Sequence, residues 1–368
     1  MSDYSRPVEP ATRLLDELNT EISADLDEEA GGIGWWNGHV GWKVSAQLGE
    51  YLLASCTGVA DSLKEASLAI EEHRRTEHGL NFARATRARK IAGRASSFDE
   101  RIAALGGSTE SELRREDIQK IWAGQALVSL AQVLDRLAAV VLVVAGVKVD
   151  VLRTDWGELS KLAARAPRSG VSQGIRQGVF ADVGTPGRDR QNALLEIVAS
   201  SEDHGPEDWL EWLLMSRNSY VHRAPRMNFH AMIVDKKRPA GTISPLHAQP
   251  DWADIEAMLG ASRNGLEAMF LKPAPQSIFD GLRDSVSSLA VAVVQAVRDL
   301  WIERRADPSL IIQHGGTWRP LDKASVLQFP GYGPAAPTAS KEVAVHPSSI
   351  RRIRAARLMG DQVGEWDC

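Results

Sequence analysis

Two side chains that could act together on a phosphate lie close together in the segment SRNSYVHR, residues 216–223. Arg217 carries a permanent positive charge and can hold two phosphate oxygens at once. His222 titrates near neutral pH, so it can move a proton during a reaction. Cleavage of RNA without a metal ion needs both properties, because charge builds up on the phosphate while the ribose 2′-hydroxyl loses its proton.

The segment lies on a predicted amphipathic helix from Pro206 to Ala224. At about 100° per residue, Arg217 falls about 20° from Leu210, at the centre of an apolar stripe. The stripe consists of Leu210, Leu213, Leu214, Val221 and Ala224. A buried arginine needs an acid, a backbone carbonyl or an anionic ligand as its partner, and Asp135 is a candidate acid. His222 lies about 140° around the helix from Arg217, so a second element or a second copy of the helix would have to complete a shared site.

The motif resembles that of the HEPN superfamily, in which an arginine, a following polar residue and a histidine lie on one helix of an all-α bundle. The resemblance implies a metal-independent endoribonuclease that acts as a homodimer, with two motifs lining one cleft. Arg217 and His222 would be catalytic, and Asn218 would orient or polarise. Many members are toxins or effectors of antiphage defence. Some of the toxins carry a tyrosine two residues after the histidine, where a partner enzyme modifies it, but this chain has Ala224 there and Tyr220 inside the motif.

Basic side chains near the motif could bind the RNA backbone. From Arg217 to Arg238 the only acid is Asp235, and a second segment, residues 81–97, has basic residues and no acid. The candidate RNA-binding residues are Tyr220, Arg223, Arg226, Arg87, Lys90 and Arg94. The alternative interpretation is a set of solvated helix faces, since most charged faces contact only water.

Two other functions are compatible with the same residues. The protein could be a non-catalytic helical subunit that binds RNA or acts as an adaptor in a defence or regulatory assembly, or it could be a scaffold without a nucleic-acid role. Other chemistries lack their motifs: there is no G-x4-G-K-[ST] loop, no Cys-x2-Cys pair and no His-Glu-x2-His helix. We therefore expect no metal and no cofactor, with RNA, a second copy of the chain, and an antitoxin or defence-complex protein as partners.

The composition is that of an ordinary soluble protein. The 368 residues are 43% hydrophobic and 25% charged, with a net charge of −5 and two cysteines. Such a chain has no general affinity for polyanions and no disulfide framework. The amino-terminal segment lacks the apolar stretch of a signal peptide, and the longest apolar run, residues 138–147, is short for a membrane span. These features predict a cytoplasmic protein that does not insert into a membrane.

Helical periodicity predicts an all-α fold, an antiparallel HEPN-like bundle with a small β-hairpin insertion at residues 229–246 and an irregular carboxyl-terminal tail. The predicted helices span roughly residues 8–30, 44–78, 81–105, 112–145, 188–199, 206–224, 252–271 and 277–305. The predicted divisions are a helical segment at 1–34, the bundle with insertions at 35–306, and a tail with a short basic helix at 307–368. Thr109 and Glu112 match a capping box, and Ala145–Gly146 matches a helix end.

Two regular apolar stripes predict the core of the bundle. The first consists of Leu127, Leu130, Leu134, Leu137 and Val141, and the second of Leu282, Leu289, Val293 and Leu300. Trp209 and Trp212, directly before the motif, could pack in the core or at a dimer interface.

Overall fold

The structure is a computed structural model that describes residues 3–26, 42–92, 109–165, 179–222, 229–233, 242–246, 275–307 and 310. These residues are mainly helical, which confirms the all-α class. The α-helices of this part are α1 (Glu9–Asp25), α2 (Trp42–Ala92), α3 (Glu110–Ala145), α4 (Trp156–Arg165), α5 (Pro186–Ala199), α6 (Trp209–His222) and α7 (Pro275–Ala306). Short 3-10 helices span Asp3–Val8 and Ser201–His204.

Two short strands lie between α6 and α7 in the chain. β1 (Phe229–Ile233) and β2 (Thr242–Leu246) pair in antiparallel orientation, with Phe229 opposite Leu246. The predicted helix at residues 252–271 and most of the predicted tail lie outside the described residues.

Both ends of α3 are stabilised by the signals that the sequence predicts. The backbone N–H of Thr109 donates to the carboxylate of Glu112 at 2.8 Å, and the backbone N–H of Glu112 donates to the hydroxyl of Thr109 at 3.3 Å. This reciprocal pair confirms the capping box. At the other end Gly146 has φ 67°, and the N–H of Val147 donates to the carbonyl of Leu142 at 3.1 Å. This is the Schellman arrangement, in which glycine adopts the left-handed conformation at no steric cost.

Two predictions about helices are wrong. Residues 44–78 and 81–92 form one continuous helix, α2, instead of two. Gly79 lies inside it, because one glycine destabilises a helix by only about 1 kcal/mol and the next residue, Leu80, is buried. Helix α4 was not predicted; it begins where Asp155 accepts a hydrogen bond from the backbone N–H of Glu158 at 2.8 Å.

The chain divides into two compact units. The first comprises Met1–Arg13, Val59–Leu134 and Ser200–Val291, and the second comprises Leu14–Gly58, Asp135–Ala199 and Ala292–Cys368. The predicted boundaries near residues 34 and 306 stay predictions, because residues 27–41 and those after Leu310 lie outside the described part. The motif helix α6 belongs to the first unit.

The side chains of both predicted stripes are buried, which confirms that they form core. Within the first unit, Leu63, Leu130, Phe279 and Leu289 are fully buried, and so is Leu213 of α6. Burial of Leu213 favours one orientation of α6, since burial of one large apolar side chain stabilises by about 1.5–3 kcal/mol.

The second unit combines a buried core with cross-helix hydrogen bonds. Trp156 is fully buried, and the indole N–H of Trp301 donates to the carboxylate of Asp25 at 2.7 Å. The guanidinium of Arg298 pairs with Glu17 at 3.1 Å and with Glu21 at 2.5 Å. These contacts hold α1 against the end of α7.

Two helices, Glu110–Ala145 and Gln276–Ala306, are long and apolar enough by length and composition to cross a bilayer. Core helices of soluble proteins pass the same test, and in both helices most of the apolar stretch is buried inside the structure.

Candidate functional site

The motif helix α6 begins at Trp209, later than the predicted start at Pro206. Asp208, directly before it, has φ 61°, a left-handed conformation that cannot belong to the helix. The carbonyl of Asp208 nevertheless accepts the N–H of Trp212 at 2.9 Å, so Asp208 forms the first hydrogen bond of α6. Aspartate is among the few residues other than glycine that adopt this conformation readily.

The buried face of α6 is rotated relative to the predicted apolar stripe. Its buried residues are Trp209, Leu210, Leu213 and Ser216. Val221, predicted to belong to the stripe, is 49% exposed, so that prediction is wrong. Arg217 follows Leu213 by one turn, about 40° from it and about 20° from Leu210, just inside the edge of the buried face that Leu210 forms. The motif arginine therefore lies where the packed face meets solvent.

Arg217 is half-buried, and its Nε atom is buried. Its Nη1 atom donates a hydrogen bond to the side-chain oxygen of Asn218 at 2.9 Å, and Asn218 itself is exposed. An amide oxygen carries no formal charge, so this bond orients the guanidinium without neutralising it.

Asp135, the acid considered as a partner for Arg217, makes a hydrogen bond at the start of α4. Its carboxylate accepts a hydrogen bond from the backbone N–H of Trp156 at 3.2 Å. It thus satisfies a backbone amide at the start of α4, in the second unit.

The side chain of Tyr220, on α6, contacts α3. Its hydroxyl donates to the backbone carbonyl of Lys120 at 3.4 Å, and its ring lies over Gly124, where a Cβ atom would be 1.8 Å from the ring carbon Cζ. Half of the residue is still exposed, at 50%. The predicted RNA-binding tyrosine is therefore a fixed ring with one part packed and one part open to solvent.

The remaining predicted site residues are described less fully. His222 is the last residue of α6, and Arg87 and Lys90 lie on α2; for these three the structure describes the backbone only. Arg223, Arg226 and Arg94 lie outside the described residues.

A polar cluster that was not predicted lies between α2 and α7. This α2–α7 cluster consists of His73, Arg74, Gln276 and Asp280. Arg74 holds both carboxylate oxygens of Asp280, at 2.7 and 2.9 Å, and Gln276 donates to the same carboxylate at 3.3 Å. Nδ1 of His73 lies 3.1 Å from the amide oxygen of Gln276. The spacing of Gln276 and Asp280, one turn apart on one helix face, is the signal that could have found it.

His73 is nearly inaccessible, with 2% of its surface exposed, and its ring packs edge-on against Phe279 at 4.9 Å between centroids. Burial lowers the pKa of His73, although the hydrogen bond with Gln276 acts in the opposite direction. The imidazole is therefore neutral at physiological pH and packs as part of the core.

Cys56 is buried, and burial raises the pKa of its thiol to about 12, so it does not serve as a nucleophile at neutral pH. Within the described residues, no three His, Cys, Asp or Glu side chains come together in a way that could hold a metal ion.

Comparisons of the chain with protein-family models, with curated proteins and with solved structures find no match.

Proposed function

We propose that the protein is a metal-independent endoribonuclease of the HEPN type. The observation that carries the proposal is the placement of Arg217 at the flank of the buried face of α6, with its guanidinium oriented by the oxygen of Asn218. A guanidinium anchored on one side and adjacent to solvent on the other suits a phosphate that approaches from outside.

In the proposed reaction the ribose 2′-oxygen forms a bond to phosphorus while the bond from phosphorus to the 5′-oxygen breaks. Arg217 holds the phosphate and stabilises the extra negative charge of the pentacoordinate state. His222 positions or moves the proton of the 2′-hydroxyl, and the departing 5′-oxygen takes up a proton. The products are a 2′,3′-cyclic phosphate and a 5′-hydroxyl.

The positions of Arg217 and His222 on one helix are about 140° apart, so one copy of α6 does not direct both side chains at one small point. The proposal therefore includes a homodimer in which two motif helices line one cleft. It also includes the finer description of the fold, a HEPN-like bundle with the β1–β2 hairpin as an insertion, and a role as a cytoplasmic toxin or antiphage effector.

The test is RNA cleavage by the purified protein in excess EDTA, with the products analysed for a 2′,3′-cyclic phosphate. We expect cleavage by the wild type and loss of cleavage in Arg217→Ala and in His222→Ala. Arg153→Ala is the matched control, because the Arg153 side chain is 64% exposed and belongs to the second unit. Thermal unfolding of each variant shows whether it is folded.

Three outcomes distinguish the functions. Cleavage that survives both motif substitutions at the wild-type rate refutes the nuclease assignment. RNA binding that requires Arg217 but is never followed by cleavage identifies a non-catalytic RNA-binding subunit. Absence of RNA affinity at low salt, where phosphate contacts are strongest, identifies a scaffold without a nucleic-acid role.

A further inference from the structure

The ring of Tyr220 is held in place by its contacts with α3. A Cβ atom at position 124 would lie 1.8 Å from Cζ and 2.1 Å from Cε1 of the tyrosine, so only glycine leaves room for the ring. The hydroxyl group also donates to the carbonyl of Lys120 at 3.4 Å. A ring fixed at two points loses little conformational freedom when a ligand binds to it.

The same ring remains accessible from solvent. Tyr220 is 50% exposed, and Val221, the next residue of α6, is 49% exposed. On α3, Ile121 directly follows Lys120, the residue whose carbonyl accepts the tyrosine hydroxyl, and is 60% exposed. The tyrosine therefore presents part of its aromatic ring to solvent.

Arg217 and Tyr220 are three residues apart on α6, so their Cβ atoms are neighbours on the helix surface, about 5–6 Å apart. A nucleotide presents an anionic phosphate and a flat base side by side. Arginine binds the first and an aromatic ring stacks on the second. The pair thus matches both parts of one nucleotide.

We infer that Tyr220 is the stacking platform for the nucleobase next to the phosphate that Arg217 holds. This inference rests on the proposed function, and it makes Tyr220 a positioning residue for single-stranded RNA. Stacking on an aromatic ring tolerates any base, so the platform selects unpaired RNA over duplex RNA without reading a sequence.

The test measures binding of two short 2′-O-methylated oligomers of equal length, which cannot be cleaved because the 2′-hydroxyl is blocked. One carries bases, and the other is the abasic ribose–phosphate chain. We expect Tyr220→Ala to weaken binding of the base-carrying oligomer about tenfold and to leave binding of the abasic oligomer unchanged. Arg217→Ala should weaken both, because it removes a phosphate contact.

Two further variants separate stacking from general damage to the fold. Tyr220→Phe keeps the ring and should bind the base-carrying oligomer within about twofold of the wild type, since it loses only one hydrogen bond. Gly124→Ala displaces the ring and should behave like Tyr220→Ala. Phe82→Ala removes an aromatic side chain that is 75% exposed on another helix, and it should bind like the wild type.

The inference is overturned if Tyr220→Ala weakens both oligomers equally or weakens neither while the wild type cleaves RNA; the proposed function then stands alone. It is also overturned if Tyr220→Ala halves the molar mass in light scattering, because the ring would then belong to an interface between two copies. A wild type that neither binds nor cleaves RNA refutes the proposed function together with the inference.

Discussion

Two arginines of the first unit, Arg74 and Arg217, lie in contrasting surroundings. In the α2–α7 cluster, Arg74 holds both oxygens of Asp280, a residue from another helix, and also pairs with Glu71. On α6, Arg217 donates to Asn218, its neighbour in the chain, through a bond to a neutral oxygen. The bonds from Arg74 to Asp280 join two helices, whereas the bond from Arg217 to Asn218 lies within one helix.

The neighbouring aromatic rings differ in the same way. Phe279, next to the α2–α7 cluster, is fully buried, whereas Tyr220 beside Arg217 is 50% exposed. Contacts between helices and complete burial are the features of a stabilising cluster. A hydrogen bond within one helix and partial exposure are what the proposed function requires of a phosphate-binding arginine, so the two settings should respond differently to substitution.

The largest effect on stability should come from the buried ring. Phe279 is 0% exposed and packs against His73 at 4.9 Å, so Phe279→Ala should lower the free energy of unfolding by about 3–5 kcal/mol. Urea unfolding followed by circular dichroism measures the change. Phe82→Ala, which removes an exposed ring, should change it by less than about 0.5 kcal/mol. Equal effects of the two substitutions would show that exposure does not separate the two regions.

Substitution of the motif arginine should affect activity more than stability. Arg217→Ala should reduce RNA cleavage by about 10²–10³-fold, because it removes a charge that stabilises the reacting phosphate. Single-turnover cleavage in excess EDTA measures this loss, and the melting temperature should stay within a few degrees of the wild-type value. A variant that loses activity only because it unfolds would contradict the proposed difference between Arg217 and Arg74.

Substitution of the cluster arginine should have the opposite consequence. Arg74→Ala removes the two bonds to Asp280 and should lower the free energy of unfolding by about 1–2 kcal/mol, the lower part of the range for bonds between charged groups, because both side chains are about one-third exposed. Cleavage per folded molecule should not change. Arg75→Ala is the control on the same helix, since its side chain is 66% exposed and its surface ion pairs contribute little.

The smallest effect should be a dependence of stability on pH. Because burial lowers the pKa of His73, the unfolded chain, with its ordinary pKa of about 6.5, takes up a proton at a higher pH than the folded protein. The stability that His73 contributes is therefore complete above about pH 6.5 and is lost as the pH falls through that value toward the lower pKa of the folded state. The slope for one proton is at most about 1.4 kcal/mol per pH unit.

The groups that face His73 act in both directions. Glu77 and Asp280 favour the protonated form, and Arg74 opposes it. The free energy of unfolding can be measured with urea at pH 7.5, 6.5 and 5.5, which are roughly one-unit steps around the pKa of histidine. It should change less with pH for His73→Gln than for the wild type. Identical profiles would mean that His73 has the same pKa in the folded and the unfolded state.

Most of the helical frame was predictable, since its long helices carry strong local signals. The core stripes of α3 and α7 and the capping box at Thr109 depend on residues close together in the chain. The wrong predictions concern segments in which opposing free energies nearly cancel or the local pattern is short. Two helices were predicted, at 44–78 and 81–105, but the helix penalty of Gly79 between them is smaller than the gain from burying its neighbours. Helix α4 was missed because ten residues give a short periodic pattern.

The residues of the candidate site were chosen from the sequence, but their orientation could not be predicted from it. Ser216 is buried and Val221 is exposed, the reverse of what their polarity indicates, so the apolar stripe placed Arg217 too close to the centre of the buried face. The position of Tyr220 depends on Gly124, a residue far away in the chain on another helix. Periodicity within one helix contains no information about where a glycine on the neighbouring helix leaves room for a side chain.

The inaccessible thiol of Cys56 has a practical consequence for spectroscopy. With Cys368 replaced by serine, the only remaining native sulfhydryl would be one that reacts poorly with maleimides or methanethiosulfonates, because its pKa is raised to about 12. A Val221→Cys substitution on that background would then carry the sole nitroxide label of each chain, since Val221 is 49% exposed. Pulsed electron resonance on such a sample would read the separation between two motif helices directly, without any assay of RNA.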